Sequence, residues 1–336
     1  MKNTVDVSVC IPSSMDWPHI YFTINQIATL MVHSSLTHEI IVCVNNGTKE
    51  CTIDYAKLIT AVDFGTFHKA RLIVTDTPSN GQAANACAKE ATGKYMVFTD
   101  SHVVLHPNIF TECIRVMDTR EDCGMVHSPV TWTGIPFVQD PVSKAMSFAN
   151  NKRCYQYLYR TLDDTGDWYL SRHFHGTYNH TCVDPTDAYP IAGCGHGFFM
   201  TRRDVWERVG GYHTGQIGYG GREAFVTFKM WLLGYRNYVT PLTNHIHYNG
   251  RRLYSWNMDN WFRNAMQQAY SIGGYKWLDI IYNSFVKKPG VRANVIRRLR
   301  EEAVATSRTE RDFVLNNQRC SFDELFKIWD DTKVFY

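Results

Sequence analysis

Over roughly its first hundred residues the chain alternates short apolar runs with helix-like stretches, and few folds satisfy that pattern. The runs are "DVSVCIP" from Asp6, "EIIVCVNNGT" from Glu39, "ARLIVTDTP" from Ala70 and "KYMVFTD" from Lys94. Each is nearly continuous in its apolar residues, as expected for strands buried on both faces of a parallel sheet. Pro12 reads as the stop of the first strand. Between the runs, residues from about Trp17 to Val32, from Tyr55 to Val62 and over "NGQAANACAKEAT" read as helices, the last with Asn80 as N-cap and Gly93 as its stop. The expected class is α/β, with a mainly parallel central sheet flanked by helices.

A chain of 336 residues suits a large domain with an appendage. With 44% hydrophobic and 20% charged residues it has ordinary globular composition, which argues against disorder. A formal charge of +3 neither demands nor excludes nucleic acid. The ten cysteines form no CxxC pair, and Cys10 and Cys43 fall inside apolar runs, so they read as reduced and structural. The N-terminus has no long apolar stretch, and no run approaches the ~20 apolar residues that span a bilayer. A soluble, cytoplasmic protein is expected.

In parallel sheets ligands bind beyond the carboxyl ends of the strands. Ser13, Asn45, Asn46, Asp76 and Asp100 all fall at such ends. Asp100-Ser101-His102 is open to two readings. Asp and Ser favour turns. If the strand continues briefly, residues i and i+2 point to one side, and a carboxylate and an imidazole converge on one ion. The middle, from about Val130 to Pro190, has no clean period and suits binding loops or lids. "EAFVTFKMWLLGYR" is an amphipathic helix, "NYVTPLTNHIHYNG" a strand and its exit, and the segment after Arg251 is mostly helical. A boundary near residue 250 divides residues 1–250 from a helical C-terminal extension, 251–336.

"VSVCIP", "EIIVCVNNGT", "NGQAANACAKEATGKYMVFTDSH" and "GGYHTGQIGYGGREAFVTFKMWLLGYR" occur in that order. In this set the chain resembles the family-2-type GT-A glycosyltransferases. Its flavour is closest to the polypeptide N-acetylgalactosaminyltransferases, which carry Asp-x-His where most relatives carry Asp-x-Asp. The resemblance covers roughly residues 5 to 250. It implies a GT-A catalytic domain that moves a sugar from a nucleotide-sugar, with UDP as the expected nucleotide, to an acceptor hydroxyl. It also implies a divalent ion, Mn²⁺ first and Mg²⁺ second, held by Asp100, His102 and a later His.

For that third ligand "TNHIHYNGRR" offers His245 and His247. Successive strand residues face opposite sides, so at most one is expected at the ion. His247 is the choice, because the family's His commonly lies just beyond this strand and shortly before basic residues, here Arg251 and Arg252. The resemblance also places Pro12, Ser13 and Asn45 beside the nucleotide, Ser101 near the ribose, and Gln82 and Asn85 on the helix passing over it. Asn45 stands where relatives usually have Asp. In "AGCGHGFFM", Gly193, Gly195 and Gly197 surround His196, and Gly195 and His196 are candidates beside the sugar. Aligned through "FKMW", Glu223 takes the general-base position, preceded by Arg222 where the family has an acid. A carboxylate there can equally be a first-turn helix acid.

The acceptor stays open between a saccharide, a protein Ser/Thr and a hydroxymethylated base in DNA. Lys287, Lys288, Arg292, Arg297, Arg298 and Arg300 can hold phosphates of a nucleic acid. They can equally form a solvated helix face with Glu301 and Glu302. Two rival classes are a nucleotidyltransferase of related fold, against which the absence of a basic Gly-rich loop in "PSSMDWPH" argues, and a catalytically silent nucleotide-sugar binding module, which has no need of the metal ligands.

Overall fold

The computed structural model describes residues 5–14, 19–45, 68–76, 79–133, 187–193, 197–218, 220, 222–248 and 257–331. The expected helix at 55–62, most of the aperiodic middle, Gly195, His196, Arg251 and Arg252 lie outside the described residues.

The strands are β1 (Val7–Ser13), β2 (His38–Asn45), β3 (His68–Thr75), β4 (Tyr95–Thr99), β5 (Val103–Leu105), β6 (Cys123–His127), β7 (Val130–Thr133), β8 (Tyr189–Ile191), β9 (Phe198–Arg202), β10 (Arg236–Val239) and β11 (His245–Tyr248). The helices are α1 (His19–His33), α2 (Asn80–Glu90), α3 (Ile109–Thr119), α4 (Arg203–Val209), α5 (Arg222–Leu232), α6 (Met258–Val286), α7 (Ala293–Asn317) and α8 (Phe322–Asp331). The large sheet has the order β3-β2-β1-β4-β9-β6-β10-β8, and a small one the order β5-β11-β7. β1 to β4 run parallel, β6 and β10 are parallel to each other, and β9 and β8 run against their neighbours. The sheet is therefore mainly parallel, as expected.

Alternation explains the continuous apolar runs. Val7, Val9 and Ile11 of β1 face one core with Ile40, Val42 and Val44 of β2, against α1 and α3. Cys10, Ile41, Cys43, Met96 and Phe98 face the other core, which runs without interruption through α4 and α5 to α6, α7 and α8. The helical C-terminal segment shares that core: Trp329 of α8 lies 5.4 Å, ring to ring, from Phe228 of α5. Cys10 and Cys43 are buried and unbridged.

Three local expectations are corrected. β1 continues through Pro12 to Ser13, because its pairing with β4 ends at Cys10 and no ladder bond is asked of the proline nitrogen. Ser79, not Asn80, caps α2, its hydroxyl accepting from the Gln82 amide. α2 stops at Glu90 rather than at Gly93. Gly93 serves close packing instead: a Cβ there would lie 2.7 Å from the Ser8 nitrogen.

Candidate metal centre

β4 ends at Thr99, and the chain bends through Asp100, Ser101 and His102 before β5. The strand does not continue through the triplet, so alternation is not what aims these side chains. The bend is held from both sides. The Gly197 carbonyl accepts from the Asp100 amide at 3.0 Å and from the Thr99 hydroxyl at 2.7 Å. From α1, the Thr23 hydroxyl donates to the Ser101 carbonyl at 2.9 Å and accepts from the Val103 amide at 3.3 Å. Gln26 brackets Leu105 in the same way, accepting at 2.9 Å and donating at 3.1 Å. Thr23 and Gln26 thus do for β5 what a neighbouring strand does, and nothing in their one-letter context marks them for it.

The segment expected as one strand and its exit forms two strands, and the second, β11, completes the site. It pairs antiparallel with β5, His247 opposite Val103, and the Tyr248 amide donates to the His102 carbonyl at 3.1 Å. This register carries His247 to the bend. One ligand atom each from Asp100, His102 and His247 can be chosen so that all lie within 4.8 Å of one another. His247 Nε2 is 3.0 Å from Asp100 Oδ2, and the rings of His102 and His247 are 4.7 Å apart at 77°. Among the described residues this is the one group of three or more His, Cys, Asp or Glu side chains so arranged. Asp100 is 14% and His247 9% exposed, shielded yet reachable. One carboxylate oxygen with two imidazole nitrogens fits a divalent transition ion better than Ca²⁺.

His245 requires a correction. It and His247 are two residues apart, so alternation puts them on the same face of β11 rather than on opposite ones. A Cβ added at Gly197 would lie 2.7 Å from His245 Nε2 and 2.9 Å from His247 Cδ2. Position along the strand separates their roles. His245 pairs with Leu105, is fully buried, and has Nδ1 2.7 Å from the Ser128 hydroxyl. Gly197, at φ +101°, has both the conformation and the missing side chain that this packing requires.

Pro12, Ser13 and Asn45 stand at the adjoining ends of β1 and β2, where Pro12 pairs with Cys43 and Ser13 with Val44. Asn45 is buried, and its amide is 2.8 Å from the Asn80 side chain; turned to donate to the Ser13 carbonyl at 2.7 Å, it accepts from Asn80. Ser101 is buried within the bend. Gln82 and Asn85 face a loop of the chain itself. Gln82 donates to the carbonyls of Thr214 (2.8 Å) and Gln216 (3.0 Å). Asn85 donates to the Tyr212 carbonyl at 2.9 Å and accepts from its amide at 3.0 Å. Glu223 falls in the first turn of α5, and its side chain lies outside the described residues.

On the helical segment Lys287, Arg292, Arg297 and Arg298 are exposed. Arg298 lies 3.6 Å from Glu302 and Arg300 2.6 Å from Asp279, so part of the basic charge is matched on the helices themselves. Among the described residues no helix is long and apolar enough to cross a membrane.

No curated protein matches the sequence. Of solved structures, that of GalNAc-T7 with UDP, GalNAc and Mn²⁺ is similar with a TM-score of 0.61 at 15% identity, over 99% of this chain and 59% of that one. This chain thus spans about three fifths of the length of that neighbour. TarS 1–349 of S. aureus in complex with UDP-GlcNAc gives a TM-score of 0.50 at 11% identity, over 94% of this chain and 93% of that one. At such identities the likeness is one of fold, and it bears out the α/β class read from the strand–helix pattern and the GT-A architecture that the family resemblance implied. The sequence model of "Glycosyl transferase family 2" matches residues 8–210, more than half of the chain. The chain belongs to glycosyl transferase family 2.

Proposed function

We propose that this family member transfers a sugar from a UDP-linked donor to an acceptor hydroxyl, with Asp100, His102 and His247 holding a divalent ion, Mn²⁺ in preference to Mg²⁺. The observation that carries the reading is the convergence of those three side chains at the rim where β1, β2 and β4 end. The nucleotides named with GalNAc-T7 and TarS support a UDP-linked donor. When bound, the ion draws charge from the departing nucleoside diphosphate.

The chain's own residues divide the remaining work. Asp100 contributes the anionic ligand and His102 and His247 neutral nitrogens. Pro12, Ser13 and Asn45 border the base and ribose, with Ser101 near the ribose. Gly195 and His196 adjoin the sugar. Gln82 and Asn85 serve the nucleotide side by holding the 212–216 segment. Glu223 takes the proton of the acceptor hydroxyl as general base. Residues 1–250 form the catalytic domain, and 251–336 a helical extension docked on it.

The test is UDP release from UDP-N-acetylglucosamine, UDP-N-acetylgalactosamine and UDP-glucose, with Mn²⁺ and with chelator. Release from at least one donor is expected, requiring metal and lost in an Asp100→Ala variant that melts like the wild type. Release that survives both chelator and Asp100→Ala removes the metal assignment.

A further inference from the structure

The loop from Gly211 to Gly220 leads into α5, whose first turn carries Glu223. Glycine-rich backbone has little preference for one path, so its shape must be imposed from outside. Gly218 (φ +69°) and Gly220 (φ +104°) both occupy the left-handed region. α2 grips one side of the loop through Gln82 and Asn85.

The other grip comes from the C-terminal helices, outside the residues matched by the family model. Asn264 of α6 is fully buried. Its Oδ1 accepts from the Ile217 amide at 3.3 Å, and its Nδ2 donates to the carbonyls of Ile217 at 2.9 Å and Gly220 at 3.2 Å. One turn on, Gln267 donates to the Gly215 carbonyl at 2.9 Å and to the Thr306 hydroxyl of α7 at 2.7 Å. Side chains at the glycines are excluded by the same helix: a Cβ at Gly218 would lie 2.9 Å from Asn260 Nδ2, and one at Gly220 would collide with the Trp261 ring. A buried amide is costly unless its donors and acceptor are matched. Here both ends are matched, and by one short stretch of backbone.

We infer that Asn264 is a positioning residue for sugar transfer. Through Ile217 and Gly220 it sets the path of the loop that delivers the first turn of α5 to the donor site, which makes the C-terminal helices part of the transfer machinery. The inference rests on the proposed transferase reading.

Three measurements test it on the full chain. Amide exchange of the wild type should show the Ile217 N–H protected. In Asn264→Ala, exchange should accelerate over 211–224 and not in the β1–β4 sheet. That variant should bind UDP with Mn²⁺ within about twofold of wild type, while kcat for the UDP-sugar that the wild type turns over falls by at least about tenfold. Asn264→Asp keeps the shape but loses both donated bonds and should move the same way, which covers a poorly folding alanine variant. A fast-exchanging Ile217 N–H in the wild type overturns the inference. So does unchanged kcat in either folded variant, or a loss of UDP·Mn²⁺ affinity in step with kcat, the mark of a merely structural role. If the wild type binds no UDP·Mn²⁺, the donor-site reading itself fails and takes the inference with it. Normal UDP·Mn²⁺ binding beside unchanged kcat in the variants sinks the inference alone.

Discussion

His247 Nε2 stands 3.0 Å from Asp100 Oδ2 although 147 positions separate the two residues. Two strand pairings close that distance. β11 is laid against β5 with His247 opposite Val103, and β5 is pinned to α1 by Thr23 and Gln26. The centre is thus a product of register. A slip of one residue in β11 would turn His247 away and bring Ile246 or Tyr248 to the bend.

Gly197 leaves that packing no room for a side chain. Gly197→Ala places a Cβ against both His245 and His247 at a φ of +101°. The backbone conformation alone should cost about 1–3 kcal/mol. Urea unfolding should show at least that loss, and Mn²⁺ affinity should fall further than in a surface variant of equal stability.

His213 gives a pH dependence with a definite sign. It is fully buried, its Nδ1 accepts from the Gly215 amide at 2.9 Å, and its Nε2 lies 2.9 Å from the Ser307 hydroxyl, as a neutral imidazole requires. Burial, helped by the Lys229 charge, holds its pKa down to about 3 from the ordinary 6.5. The unfolded chain therefore takes up a proton below the ordinary value and the folded chain does not until the folded value is reached. Stability is full above about pH 6.5 and should fall by roughly 1.4 kcal/mol per pH unit between the two. Unfolding free energies at pH 6 and pH 4 should differ less in His213→Gln, by about one proton's worth of slope.

Lys229 of α5 is fully buried and 2.7 Å from Glu310 of α7, its ammonium 4.5 Å from the Phe225 ring centre. Burial pushes its pKa down, and the Glu310 charge opposes that shift. Lys229→Met leaves a nearly buried carboxylate without its cation and should cost about 3–5 kcal/mol. Adding Glu310→Gln should recover much of it, because a paired interior charge contributes little beyond its own desolvation. Equal stability of the single and double variants would show the pair to be uncoupled.

For Glu223 the prediction concerns a ratio. Glu223→Gln should lower kcat for transfer by about 10²-fold or more, the usual contribution of a general base, and leave donor binding unchanged. Equal loss of both would assign the residue to helix structure.

The fold was legible because the strands of a doubly covered sheet are apolar along their whole length, as in "EIIVCVN", and helices of the expected length fall between them. Asp100 and His102 stood out at a strand end, but there a turn and an ion were both open, and the family resemblance made them metal candidates. His247 needed the family resemblance, since nothing local pairs β11 with β5. Thr23, Gln26 and Ser128 could not be read at all, and Gly197 was legible as a glycine of close approach but not as the one that makes room for His245 and His247. Each acts through backbone or ring contacts to a distant segment, and such contacts leave no period in the sequence. Asn80 and Ser79 are equally good caps by residue type, so the sequence alone does not decide between them. His245 and His247, two residues apart, share one face of β11, so strand alternation does not distinguish them and their different pairing positions on β5 do.

The most direct measurement is a Mn²⁺ titration followed by electron paramagnetic resonance, in the presence of UDP, on the wild type, Asp100→Ala and His247→Ala. Saturable binding is expected in the wild type, weakened by at least about tenfold in each variant while the melting temperature holds. Mn²⁺ binding of equal strength in all three proteins would contradict a centre built from the β4–β5 bend and β11.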